Sequence, residues 1–424
     1  MRRTLAFIVL FAASLSAQPA LPIPGGAVVW TDTAPNSANM YDPATGLTTV
    51  LDASPTLIWP AGILVTRQRD VVFADFNGLT LTRVDVLGNV SAAGLVTNTP
   101  NRIAQDHNGD FIVAGYATGS WGGTGGGSPS SLLRVDSTGA WTYIATLAGN
   151  PFSVMVEPTG IYGFGDYVVT LPLQGELQRI DSGGLITSIA SGISGGPVGV
   201  TNFPNGDYAV ALSSFDSIVR IPRNGGAVTT WVPSGVLGNI KDLLPDGEGG
   251  FYVTEAGGTM GSRLMHVDPV GAVTQVLGNS AFGILQAAAI APNFIPPPTN
   301  PGTGLAGLFG LAIAMPQSPN AQYLACASDS VFPGLGLSAG DPRRSPLNPT
   351  PFFLQSFGVG FPGITANWGG TLDGSGNGAV LMNLTPFPAG AFANIRVYLQ
   401  VALIDPTAPS NVARLSDPLT LLFN

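Results

Sequence analysis

The sequence predicts an all-β protein: a six-bladed β-propeller followed by a small β-sandwich domain. Three observations carry that reading. Glycine and proline, 57 and 36 of the 424 residues, are abundant, while charged residues make up only 10%. Such a chain is rich in turn formers and too poor in Glu, Lys and Arg for long helices. The hydrophobic fraction of 45% is still large enough to bury a core, which excludes a wholly disordered chain. Finally, one phrase recurs along the chain at the spacing of a four-stranded propeller blade, about 45 residues.

The first element is a secretory signal over residues 1–17. Arg2 and Arg3 open it, Leu5–Ala13 form a short apolar stretch, and small residues up to Ala17 offer a cleavage site. The stretch is too short to span the ~30 Å hydrocarbon core of a bilayer. The protein is therefore expected to be secreted or held at the cell surface, with no membrane span. Net charge is −9 and lysine occurs once, at Lys241. Without a basic run to neutralise phosphates, nucleic acid and anionic membranes are not expected partners. Cys326 is the only cysteine, so no intramolecular disulfide can form. It reads as a small buried residue rather than a reactive thiol.

Residues 24–294 carry the repeat. Its copies are Met40-Tyr41-Asp42-Pro43-Ala44-Thr45-Gly46, Arg83-Val84-Asp85-Val86-Leu87-Gly88, Arg134-Val135-Asp136-Ser137-Thr138-Gly139, Arg179-Ile180-Asp181-Ser182-Gly183-Gly184, Arg220-Ile221-Pro222-Arg223-Asn224-Gly225 and His266-Val267-Asp268-Pro269-Val270-Gly271. The fifth has Pro222 where the others have Asp. Between copies stand a Gly turn and an aromatic residue, as in Asn108-Gly109-Asp110-Phe111 and Asn205-Gly206-Asp207-Tyr208. Each unit thus reads as four antiparallel strands, A to D. The Gly-Asp-aromatic turn joins A to B, and the Asp-x-x-Gly turn joins C to D. Arg and Asp at i and i+2 (Arg83/Asp85, Arg134/Asp136, Arg179/Asp181) share a face of strand C and are expected to pair. The chain near Ile284–Ala291 looks like a strand A lacking the rest of its blade. Gly26–Asp32 begins with a strand B lacking an A. Pairing the two closes the ring and removes free sheet edges.

These motifs, Gly-Asp-aromatic-x-Val followed by Arg-Val-Asp-x-x-Gly, resemble NHL-repeat propellers and the related streptogramin-lyase-like and gluconolactonase-like six-bladed propellers. The resemblance implies architecture more than activity, because its residues are those that make blades.

Residues 295–304, with Pro296, Pro297 and Pro298 in succession, form a Pro/Gly-rich linker. Residues 305–424 read as a β-sandwich-like domain, with strands over Ala379–Leu384, Ile395–Ile404 and Leu419–Phe423. Its ending, Val397 to Pro406, is similar to a C-terminal module of large secreted proteins from planctomycete-type bacteria. Asp373-Gly374-Ser375-Gly376-Asn377-Gly378 lacks the closing Glu of a calcium loop and reads as a hairpin turn.

Candidate site residues follow from aligning the B strands. Asp32, Asp75, Gly115, Leu171, Leu212 and Glu255 fall at equivalent positions. Asp32, Asp75 and Glu255 come from consecutive blades and form a candidate metal site for Ca²⁺ or Mg²⁺, with Asn101, Asn150 and Asn239 as neutral oxygens. The alternative is that each carboxylate hydrogen-bonds its own loop. Tyr116 and Trp121, on a long Gly-rich B–C loop, are candidate ligand-binding residues for a sugar or a protein; the alternative is an insertion without a ligand. A streptogramin lyase would require a loop-borne His on the ligand face. His107, in an A–B turn, and His266, in strand C, do not match that pattern. The expected function is a secreted, non-catalytic binding or scaffold propeller without a cofactor, whose partner is an extracellular protein or carbohydrate. The alternative is a Ca- or Mg-dependent hydrolase or lyase at the acidic arc.

Overall fold

The computed structural model describes residues 23–423, apart from 33–36, 53–58, 86–88, 107–108, 117–128, 158–165, 258–261, 279–284, 293, 296–307, 330, 339–340, 348–349, 357–364, 384–394, 409 and 417–418. The expected signal, Trp121, His107 and most of the linker lie outside the described residues.

Between Val28 and Ile290 the described residues form six four-stranded antiparallel sheets in succession. Their inner strands are Leu285–Ile290, Pro60–Val65, Thr99–Gln105, Val154–Val156, Pro197–Asn202 and Ile240–Pro245. Each inner strand contacts the inner strand of the sheet on either side, and the sixth contacts the first. The chain is a β-propeller.

Closure joins the two ends of the repeat region. Leu285–Ile290 pairs with Val28–Asp32, with Val28 opposite Ile290 and Trp30 opposite Ala288. Gly26 N and Ala291 N extend the ladder by donating to Ala291 O and Ala27 O, both at 2.8 Å. Strand B is buried throughout in most sheets, as in Val71–Asp75, Tyr167–Leu171 and Tyr208–Leu212. Its β-branched and aromatic residues pack between neighbouring sheets on both faces. Strand D lies at the rim and is largely exposed, as in Ile186–Ala190.

The repeated Asp caps its own turn. Asp136 Oδ1 accepts from Thr138 N at 2.8 Å and Ala140 N at 3.1 Å. Asp268 Oδ1 does the same for Val270 N and Ala272 N at 3.0 and 2.8 Å. The glycine of the phrase closes the turn at positive φ, 84° at Gly139 and 90° at Gly271, where a Cβ would be strained.

The i, i+2 pairing of Arg with Asp on strand C is therefore corrected. Asp lies just past the strand end, and its carboxylate turns onto turn amides. The Arg instead crosses strand B to an acid of the A–B turn. Arg83 meets Asp70, Arg134 Nε lies 3.7 Å from Asp106, and Arg220 Nε donates to Asp207 at 2.7 Å. In the sixth sheet His266 takes the same place against Asp246, at 2.8 Å. Two strand C arginines also reach the next sheet: Arg134 donates to Tyr167 Oη at 2.7 Å and Arg179 to Tyr208 Oη at 2.6 Å. The aromatic of the Gly-Asp-aromatic phrase thus doubles as an inter-sheet tie.

Beyond the ring, Phe294–Ile295, Leu308–Ala314, Asn377–Asn383 and Thr365–Ala366 form one sheet. A second contains Gly369–Thr371, Gln322–Ser328, Ile395–Ile404, Val412–Leu415 and Leu419–Phe423. Leu311, Ile313 and Val380 from the first sheet share one core with Ala325, Val401 and Leu403 from the second. Asp373 accepts from Ser375 N and Asn377 N, both at 2.8 Å, which makes its segment a capped hairpin turn. Cys326 is buried, and burial pushes its thiol up to about 12. Arg414 Nε donates to Glu248 at 3.2 Å and Gln317 Nε2 to Gly25 O at 3.1 Å. Both contacts lie at the A–B and C–D turn end of the ring. Among the described residues no helix is long and apolar enough to cross a membrane.

Candidate ligand face at the D–A and B–C end of the ring

Most of the inner strands share an irregularity where they leave the D–A loops. Pairing skips between Pro60 and Gly62, Pro100 and Arg102, Pro197 and Val200, and Ile240 and Asp242, and between Thr31 and Asp32 opposite the closing strand. Ala61, Asn101 and Lys241 are the extra residues of three of these bulges. Pro60 and Pro197 open their strands and Pro100 is the second residue of its own, where a missing N–H is tolerated. Bulges re-aim side chains and gather at rims of closed sheets. Here they collect near the axis at one end of the ring.

Arg102 sits at the centre of this arrangement and is 4% exposed. Its Nε lies 3.4 Å from Asp242 of the sixth sheet. It donates to Ala61 O of the second sheet and to Lys241 O of the sixth, the latter at 3.4 Å. Its guanidinium lies 4.9 Å from the Phe152 ring centroid. Asn101 Nδ2 donates to Phe152 O at 2.7 Å and to Tyr116 Oη at 3.1 Å. Ala288 N of the closing strand approaches Asp242 at 3.4 Å. One guanidinium thus spans the axis and ties several inner strands. Nothing in the repeat signals it, since Arg102 and Asp242 have no counterparts in other units.

The candidate carboxylates stand where the alignment puts them, at the ends of B strands, and all three are buried. Each is engaged within the fold. Asp75 Oδ1 accepts from Gly78 N at 3.0 Å. Glu255 accepts from Gly238 N at 2.7 Å and from Arg263 Nε at 2.6 Å. Burial raises the Glu255 carboxyl, against the pull of Gly238 and Arg263. Asp32 lies in the closing sheet at the register shift. Among the described residues no group of three or more His, Cys, Asp or Glu side chains converges as a metal site would require. Asn239 donates to Ala256 O, and Asn150 Oδ1 accepts from Ser130 at 2.6 Å. Tyr116 is 5% exposed and packs edge-on against Phe76, with 5.9 Å between centroids. Its ring is part of the core beneath the face.

The opposite end of the ring holds a denser set of charges. Glu157 is fully buried and meets Tyr208, Arg223 and, at 3.7 Å, Arg179. Asp166 beside it has its carboxyl pushed up to about 6 by burial first, with Glu157 and Asp181 adding to the effect. A raised folded-state value means that Asp166 favours folding below its unfolded value near 3.8, and that this contribution is lost as pH rises through about 6. Asp166→Asn is therefore expected to stabilise the protein by about 1–2 kcal/mol near pH 7.5, with no gain near pH 4. Urea midpoints at the two pH values check this.

No family model matches the chain, and no curated protein matches it. Solved structures do. A chain of a nidogen/laminin complex aligns over 62% of this chain and 98% of its own, at 12% identity and a TM-score of 0.52. A Bacteroides caccae protein of unknown function aligns over 63% and 98%, at 17% identity and TM-score 0.49. Virginiamycin B lyase from Staphylococcus aureus aligns over 60% and 84%, at 16% identity and TM-score 0.46. At such identities a likeness speaks to fold alone, and the fold is that of a β-propeller.

Proposed function

We propose that the protein is exported by the signal at residues 1–17 and is a closed six-bladed propeller with a small β-sandwich module over 305–424. It acts as a non-catalytic binding or scaffold protein for an extracellular carbohydrate or protein. The D–A and B–C end of the ring is its ligand face. The observation that carries this reading is how the polar groups there are used: Arg102 with Asp242, Glu255 with Arg263, and Asp75 with its own turn. Such groups organise a rigid platform for a ligand rather than offering an acid, a base and open metal positions.

The test pairs turnover with titration. Lactones and streptogramins are expected to persist unchanged with the purified protein, with or without Ca²⁺ or Mg²⁺. Calorimetric titration with either ion is expected to give no site-specific heat. A glycan array is expected to give a saturable signal. Hydrolysis abolished by Glu255→Gln would overturn the reading in favour of a metal-dependent hydrolase at Asp32, Asp75 and Glu255.

A further inference from the structure

The rim of the third sheet carries two aromatic residues that the repeat does not call for. Its outer strand, Trp141–Thr146, pairs with strand C so that Trp141 stands opposite Val135 and Tyr143 opposite Leu133. Two residues apart, they share one face of the pleat. Their rings meet edge to face, with 5.3 Å between centroids. In the other sheets the residues at the Tyr143 register are Val50, Ala92, Ser188, Thr230 and Gln275. A blade is therefore built without an aromatic at that place.

Tyr143 is 49% exposed, yet its ring is held from two sides. Trp141 flanks it and packs against the cluster that includes Leu133 and Val135. At its hydroxyl end, Thr97 Oγ1 of the preceding D–A loop donates to Asn98 Oδ1 at 3.1 Å, which leaves Tyr143 Oη to donate to Thr97 Oγ1 at 3.3 Å. Asn98 is fully buried, and its Nδ2 donates to Pro129 O at 2.6 Å. The seam between the second and third sheets is tight: a Cβ on Gly94 would lie 2.7 Å from Val135 Cγ1. A ring held still in water has already lost its rotamer freedom, so a ligand that covers it gains contact area at little further entropic cost.

No charged residue lies on either outer strand of this seam, Val90–Leu95 or Trp141–Thr146. Asp136, in the adjoining C–D turn, is spent on the amides of Thr138 and Ala140. A charged ligand would find no counter-charge there. A purely apolar one would bury the Thr97 and Tyr143 hydroxyls at a cost. A pyranose offers an apolar C–H face to the ring and hydroxyls to Thr97 and Tyr143.

We propose that Trp141, Tyr143 and Thr97 form a stacking subsite for a neutral hexose oligosaccharide on the rim of the third sheet. The subsite lies at the outer strands, not near the axis where the ligand face collects, so the two readings can fail separately.

Tyr143 is the one exposed tyrosine among the described residues, which makes it its own reporter. Tetranitromethane nitrates exposed tyrosines, and peptide mass mapping locates the product. Cellohexaose or maltohexaose at saturation is expected to slow nitration of Tyr143 by about threefold or more, while trigalacturonate gives no protection. In calorimetry with the protecting sugar, Tyr143→Ala and Trp141→Ala are each expected to weaken binding by about tenfold. Tyr143→Phe, which keeps the ring, should stay within about threefold of wild type. Trp59→Ala, in a D–A loop of the ligand face, should change nothing. Tyr143→Ala removes a surface side chain, and an unchanged thermal midpoint keeps its loss from being read as unfolding. Failure of both neutral sugars to protect Tyr143 would overturn the proposal, and equal protection by trigalacturonate would overturn the neutral class. Binding lost in Trp59→Ala but kept in Tyr143→Ala would move the sugar to the ligand face, overturning this subsite while the broader binding reading stands.

Discussion

Arg69→Met is expected to destabilise the protein by about 3 kcal/mol and to loosen the closing sheet first. Arg69 belongs to the A–B turn of the second sheet and is 1% exposed. Its Nη1 donates to Ile23 O and its Nη2 to Pro292 O, both at 2.6 Å. Those carbonyls flank the two strands, Val28–Asp32 and Leu285–Ile290, that meet in the first sheet. One planar guanidinium on the neighbouring sheet therefore clasps the junction. Burial lowers its value to about 10, so the charge is held at a cost that the two carbonyls offset. Methionine keeps the bulk but leaves both carbonyls without their donor. Arg69→Lys is expected to recover little, since one ammonium cannot copy the fork. Urea denaturation gives the total loss. Hydrogen exchange should show Val29, Trp30 and Ala288–Ile290 opening before the strands of the fourth and fifth sheets. An unchanged midpoint, or uniform loss of protection across all sheets, would show that the junction does not depend on this clasp.

That clasp marks the boundary of what the sequence makes legible. Strand alternation and the Asp-x-x-Gly turns are local, and each repeat restates them, so the propeller class and the pairing of Val28 with Ile290 can be read directly. The alignment of B strands also placed Asp32, Asp75 and Glu255 at matching strand ends. What it could not give is which partner each carboxylate finds, because Arg263 and Gly238 reach Glu255 through hairpin and loop geometry. The pairing of Arg with Asp on strand C failed for a similar reason. Sharing a strand face brings two side chains near each other, but the Asp lies where the turn amides compete for it, and they win at 2.8–3.1 Å. Arg69, Arg102 and Lys241 stand outside the repeated phrase. Periodicity passes over such residues.

Arg102→Met tests whether the axis is held as the inner strands suggest. Asp242 is 6% exposed, and burial raises its carboxyl against the opposing effect of Arg102. Removing the guanidinium leaves a buried carboxylate with no compensating charge, a loss of about 3–5 kcal/mol. The pH dependence has a definite sign. Without Arg102 the folded-state value of Asp242 rises further above its unfolded value, so the folded protein holds the proton more tightly. The variant therefore regains stability as pH falls and loses it as pH rises through the folded-state value. The gap between wild type and Arg102→Met should accordingly be widest near pH 8 and narrow near pH 5. Adding Asp242→Asn should remove most of the pH dependence and recover part of the loss, since a neutral amide needs no counter-charge. A gap that stays constant with pH, unaltered by Asp242→Asn, would place the damage in the lost bonds to Ala61 O and Lys241 O instead. The face would then be ordered by backbone ties alone, and Lys241 would owe its position to Arg102 as a hydrogen-bond donor rather than as a charge.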